Sequence, residues 1–339
     1  MRTSWRADAA AATAADGAIL RLVVPALAGA AAAWVLWRFA ADAGSLPRRI
    51  VLAALPVYLA LWLATVALHA VRWRMVLRRL GTDVPLVRLA RLWLAARAVG
   101  SVVPSGTLGG EPVRAQLLTA SGMSTASAAG AVALDRSLEL AGNMIVGPLC
   151  IGGALALGAG SGTALGIAAA GGIVGFALLL AIWIHGMRGD PVLRILATPP
   201  AYLLPRRWRT RVLAEATRVD GALHAVLVAH PGLVPAGVGL SLVIEALHLV
   251  ELAALFAVFA LAVPLPMLLL SSMGIGIAHA VPVTAALGTL EATQIGLFTV
   301  GGEPLATGLA VAVAVRLAET LMILTGLACL ATAPGRRRR

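Results

Sequence analysis

The chain has 339 residues, is 60% hydrophobic and only 12% charged, and its mean hydropathy is +0.92. These values exclude an ordinary soluble domain and imply an all-α polytopic membrane protein. The net charge of +12 does not point to nucleic acid, because the arginines cluster at the ends of apolar runs and no stretch interleaves aromatics with basic residues.

A first membrane helix is expected at about 19–40, retained rather than cleaved as a signal peptide. A second runs from about 50 to 71. Residues 72–91 then carry six arginines against one acid, Asp83. The positive-inside rule places that loop, and with it the N-terminus, in the cytoplasm.

From Leu86 the pattern is helical, interrupted by Arg88, Arg91 and Arg97. It breaks at Val103-Pro104-Ser105-Gly106-Thr107-Leu108-Gly109-Gly110-Glu111-Pro112. A second short helix is expected at 112–120. Each limb is too short for a lone span, so 86–121 reads as a re-entrant helical hairpin.

A long helix at about 123–157, capped by Ser124 or Thr125, carries Asp135, Arg136 and Glu139. Another span follows at 163–184. Residues 185–230 form a basic cytoplasmic stretch whose second part, 207–229, is amphipathic and lies on the membrane surface. His224 and His230 within it read as solvent-facing or headgroup-facing. The helix at 232–262 carries Glu245, His248 and Glu251, too loose a set for a zinc site. A second interrupted stretch spans 265–300, with its break at Pro282 to Glu291. The last helix, 304–331, carries Arg316 and Glu319, and the Arg336–Arg339 tail is expected in the cytoplasm. Cys150 and Cys329 read as small buried hydrophobes.

A shift of 180 residues aligns the two interrupted stretches. Glu111 falls on Glu291, Arg136 on Arg316 and Glu139 on Glu319. Ionisable residues are scarce within the spans, so three matches in one register carry weight. The count of spans makes the second copy inverted, the signature of secondary transporters with a midplane site. The expected architecture is therefore one membrane domain over 1–339, of about six full spans plus two re-entrant hairpins. Its repeat halves lie at about 86–157 and 265–331.

Charges inside the membrane mark function by default, yet buried charges must also be paired. The expected central set is Arg97, Glu111, Arg114, Asp135, Arg136, Glu139, Glu291, Arg316 and Glu319. It reads either as an internal ion-pair network or as a cavity that takes a charged lipid headgroup, with arginine suited to phosphate by its bidentate fork.

The run Leu108-Gly109-Gly110-Glu111-Pro112-Val113-Arg114, with Arg97, Gly100, Pro104 and Gly106 before it, resembles the signature of the flippase-like transmembrane region of lysylphosphatidylglycerol synthases. Asp135-Arg136 is similar to the helix that follows it in that family, and Leu287-Gly288-Thr289-Leu290-Glu291 to its second element. Where that family often carries a Pro-Gly-Gly segment, this chain has Pro282-Val283-Thr284-Ala285-Ala286. The resemblance implies a region that moves lipid between leaflets, here as a stand-alone member without an aminoacyl-transferase domain.

The leading expectation is a lipid flippase of the bacterial cytoplasmic (inner) membrane, both termini cytoplasmic. Its substrate would be an anionic or zwitterionic lipid. No enzyme activity, cofactor, metal or nucleic acid is expected, and lipid-biosynthesis enzymes are candidate partners. Two alternatives stay open: an integral-membrane enzyme acting on a lipid-linked substrate, with Glu111 and Asp135 as an acid–base pair, and an accessory subunit of a lipid pathway.

Overall fold

The computed structural model describes residues 48–103, 109–120, 122–158, 163–202 and 205–331. The expected first helix, the Pro104–Leu108 segment and the arginine tail lie outside them. The described residues form helices α1 Arg48–Arg79, α2 Leu86–Val102, α3 Gly110–Thr119, α4 Thr125–Ala156, α5 Thr163–Arg188, α6 Val192–Ala201 and α7 Arg206–Ala229. They continue with α8 Leu233–Val258, α9 Leu265–Ala280, a 3-10 turn Thr284–Ala286, α10 Thr289–Val300 and α11 Leu305–Ala331. No strand occurs among them, and the all-α polytopic reading stands.

Among the described residues, five stretches are long and apolar enough to span a membrane: Ala54–Arg79, Thr125–Ala156, Ala170–Arg188, Leu233–Val258 and Leu305–Ala331. Val57, Leu63, Ile173, Val174, Leu178, Val243, Val250 and Leu309 on these helices are exposed. Such large apolar side chains turned outward suit lipid, not water.

The helix ends follow local chemistry. Ser124 caps α4 by accepting the Ser127 N–H at 3.1 Å. Gly122, at φ +99°, makes the turn out of α3. Gly288, at φ +79°, precedes α10, and its N–H donates to Glu291 Oε2 at 2.8 Å. The limbs α2 and α3 close on two glycines. A Cβ on Gly110 would sit 2.5 Å from the Ala96 carbonyl oxygen, and one on Gly100 would sit 2.9 Å from the Gly110 nitrogen.

The expected loop at 72–91 needs correction at its start. Helix α1 continues through Arg79, and only residues 80–85 connect it to α2. His224 is also half-buried, its Nδ1 3.0 Å from the Gly186 carbonyl oxygen at the end of α5.

The order of elements α1–α4 recurs in α8–α11. Adding 180 to the first residues of α2, α3 and α4 gives 266, 290 and 305, against observed starts at Leu265, Thr289 and Leu305. The packing also corresponds. Helix α2 lies along α11, and α9 lies along α4, so the first limb of each hairpin rests on the long helix of the other stretch. Helices α1 and α8 pack against each other between them.

Candidate functional site

Eight of the nine expected site residues fall into two sets, and the ninth, Arg97, stands beside the first. No hydrogen bond or ion pair joins one set to the other among the described residues.

The first set gathers α1, α3, α4 and α8. Helix α4 presents Asp135 and Glu139 inward on one face. Arg72 of α1 spans both: Nε donates to Asp135 Oδ1 at 2.9 Å and Nη2 to Glu139 Oε2 at 3.0 Å. Its remaining amino group, Nη1, donates to Ser241 Oγ of α8 at 3.2 Å. Arg114 of α3 donates to the other oxygen of Asp135 at 2.5 Å and to Glu111 at 3.2 Å. Its guanidinium lies 4.2 Å over the Trp73 ring. Arg136 donates to Glu139 Oε1 at 2.5 Å and lies 3.9 Å from Glu111. Three arginines thus face three carboxylates. Arg72 is 1% exposed and Asp135 0%, so the near balance of charge is a condition of burial.

Arg97 of α2 is half-buried. Among the described residues no hydrogen bond or ion pair holds its guanidinium. It lies within electrostatic range of Glu139, His69 and His248. His69 stacks on Trp93 with ring centroids 4.4 Å apart and faces the His248 ring at 5.7 Å. Beyond them Thr65 donates to Glu251 at 2.8 Å, tying α1 to α8.

The second set surrounds the turn of the second hairpin. Arg316 grips Glu291 with both oxygens, Nε to Oε1 at 2.7 Å and Nη2 to Oε2 at 3.1 Å. It also donates to Glu319 at 2.9 Å, to the Ala286 carbonyl at 2.6 Å and to the Ala285 carbonyl. Those two alanines have φ of +50° and +49°. A left-handed conformation costs an L-residue about 1–2 kcal/mol, so the arginine fork holds a strained turn in place. His279 of α9 completes the set, with Nε2 2.7 Å from Glu319 Oε1.

Reading the sequence missed Arg72, Ser241, Trp73 and His279. Charge counting along the chain puts Arg72 in a topological loop. The signal that could have found it is a helical stripe, Thr65, His69 and Arg72, at the 3–4 residue spacing of one buried face.

These are the features of a polytopic membrane protein with two hairpins of short helices and charged groups folded among the spans. The family model of the lysylphosphatidylglycerol synthase TM region matches residues 21–326, and the chain belongs to that family. Membership ties the protein to the lipids of its membrane. Neither the comparison with curated proteins nor that with solved structures returned a match.

Proposed function

We propose that the protein is a flippase that carries a polar-headgroup lipid between leaflets. Its two hairpins are re-entrant and form an inverted repeat over 86–157 and 265–331. What carries this reading is the doubled arrangement: each hairpin ties its glutamate to the arginine 25 residues on, and each rests its first limb on the other's long helix. Paired broken helices of this kind build transport sites in other membrane folds.

The roles follow from the pairing. Arg97 is the cation nearest the first set that lacks an ion partner among the described residues, and it receives the lipid phosphate. Arg114, Arg136 and Arg316 hold the hairpins through Glu111, Asp135, Glu139, Glu291 and Glu319, and exchange those partners for headgroup atoms as the hairpins part. The acyl chains stay in the bilayer. Helices α6 and α7 lie along the cytoplasmic leaflet, where Arg206, Arg207, Arg209 and Arg211 meet anionic headgroups. Arg209 stacks 4.8 Å from the Tyr202 ring, and an amphipathic aromatic beside an arginine suits such a surface.

The test is purified protein in liposomes with a fluorescent phospholipid and an impermeant quencher. Wild type should equilibrate the lipid between leaflets. Arg97→Ala should slow movement about 10- to 100-fold, the equivalent of one charge-assisted hydrogen bond, without loss of fold. Glu111→Gln should also slow it. A wild-type protein that moves no phospholipid but alters one covalently would establish the enzyme reading instead.

A further inference from the structure

The ring of His279 sits between two acceptors. Nδ1 is 2.8 Å from the Ile275 carbonyl oxygen, and Nε2 is 2.7 Å from Glu319 Oε1. A carbonyl only accepts, and an ionised carboxylate only accepts. A neutral imidazole has one N–H, so it can satisfy one of the two and must turn a lone pair on the other. The arrangement therefore requires an added proton, either on the ring or on Glu319.

The charge count agrees. With that proton, His279 and Arg316 set two positive charges against Glu291 and Glu319. Without it, the set holds one uncompensated negative charge among partly buried groups. Glu319 is shared, since it accepts from His279 with one oxygen and from Arg316 with the other. Arg316 in turn holds the Ala285 and Ala286 carbonyls.

We propose that His279 and Glu319 together form a proton-binding site that locks the Ala285–Ala286 turn of the second hairpin. Release of the proton leaves a single N–H for two acceptors, so the ring gives up either the Ile275 carbonyl or Glu319, and the groups around Arg316 keep one excess negative charge. The clasp on the left-handed turn must then rearrange.

Among the described residues, the charged and titratable neighbours of the pair are engaged elsewhere or belong to the other set. On α10, Glu291 is taken by Arg316 and Thr289 Oγ1 donates to the Ala278 and Ala286 carbonyls. On α8, Glu251 accepts from Thr65 and Glu245 faces Asn143 and His248. On α4, Asp135, Arg136 and Glu139 belong to the first set. Helix α2, which touches the turn, carries Arg88, Arg91 and Arg97.

The proton site rests on the transport reading only for what it drives; its own test does not need a lipid to move. Leu287, exposed at the end of the turn, is changed to Cys and spin-labelled in a chain with Cys150 and Cys329 replaced by Ala, in nanodiscs. Label mobility should change with pH through a single one-proton transition. The transition should vanish in Glu319→Gln and in His279→Gln. In 15N-histidine spectra, the resonance missing from His279→Gln should lose its imidazolium shifts over the same pH range. A flat wild-type profile overturns the proposal, and so does a transition that survives in either variant. Lipid movement is scored separately: a flat label with working transport sinks the proton site alone, whereas a clear transition with no transport sinks the flippase reading alone.

Discussion

The two charged sets occupy matching places on matching elements, yet they are built differently. Adding 180 takes Arg72 to Leu252, Arg114 to Gln294 and Asp135 to Val315. The second half has lost a cation pair and its bridging carboxylate. In their place Gln294 accepts from Ser271 Oγ at 2.7 Å and donates to the Ser271 carbonyl at 3.1 Å. A neutral pair thus ties α9 to α10 where the first half uses ions. In the other direction Val99 becomes His279. The first set is composed of arginines and carboxylates. The second contains the one imidazole and grips a strained turn. The first set is thus a deeply buried ionic anchor between α1, α3 and α4, whereas the second is a more exposed clasp on a strained turn.

The largest effect should come from opening the anchor. Arg72→Ala leaves Asp135 and Glu139 buried with fewer cations, and breaking such a pair costs about 3–5 kcal/mol. Detergent-purified variant should lose its monodisperse peak at temperatures the parent survives. Arg72→Lys should rescue little, because one ammonium cannot reach three acceptors in the geometry of the fork. Should Arg72→Ala prove as stable as the parent, the first set is no anchor.

Next comes the packing that interlocks the two stretches. A Cβ on Gly326 would lie 2.2 Å from the Leu94 carbonyl oxygen, where α11 meets α2. On the matching contact of α4 with α9, a Cβ on Gly147 would meet only the Met273 methyl, at 3.0 Å. Backbone cannot give way, whereas a methionine end can. Gly326→Ala should therefore destabilise by about 1–3 kcal/mol, and Gly147→Ala by much less. Thermal aggregation of the two variants side by side measures the difference.

The turn gives a smaller, more specific effect. Arg316→Ala should cost about 1–2 kcal/mol, the scale of hydrogen bonds from a charged donor in a half-exposed site. Replacing Ala285 and Ala286 by Gly in that background should recover part of the loss, since glycine adopts positive φ without strain. The same glycines in the parent should stabilise by the relieved strain less the added chain entropy. No recovery would mean that Arg316 acts through Glu291 alone.

How far the sequence carried this picture differs between the two sets. The 180-residue register, read from scarce ionisable residues, aligns Glu291, Arg316 and Glu319 with Glu111, Arg136 and Glu139. It also anticipated the breaks in both hairpins, because Pro and Gly interrupt an otherwise apolar pattern there. It failed at Arg72. Charge counting along the chain says which side of the membrane a segment favours, not where a helix stops, and α1 runs on past the arginines. Arg72 turns inward while Arg74 and Arg78, two and six residues on, point elsewhere. Ser241 and His279 were hidden for another reason. A lone serine or histidine on an apolar helix has no partner visible in sequence; its partner, Arg72 or Glu319, comes from a distant element.

The smallest effect is expected where charge pairing is most obvious. Asp83 accepts from Arg74 Nε at 2.8 Å and from Arg78 Nε at 3.1 Å, bridging the end of α1. Hydrogen bonds from Arg74 and then Arg78 hold its carboxyl below the usual carboxylate range. A group held low contributes stability above its unfolded-state pKa and loses it as pH falls through the folded value, so any benefit is present at neutral pH and fades only in strong acid. Asp83 and Arg78 stand in solvent and Arg74 is half-buried, so water and salt screen the pairs. Asp83→Asn should leave the melting temperature at pH 7 unchanged within error, at low and high salt alike. A loss comparable to Arg72→Ala would mean that the α1–α2 connection, rather than the buried set, carries the anchor.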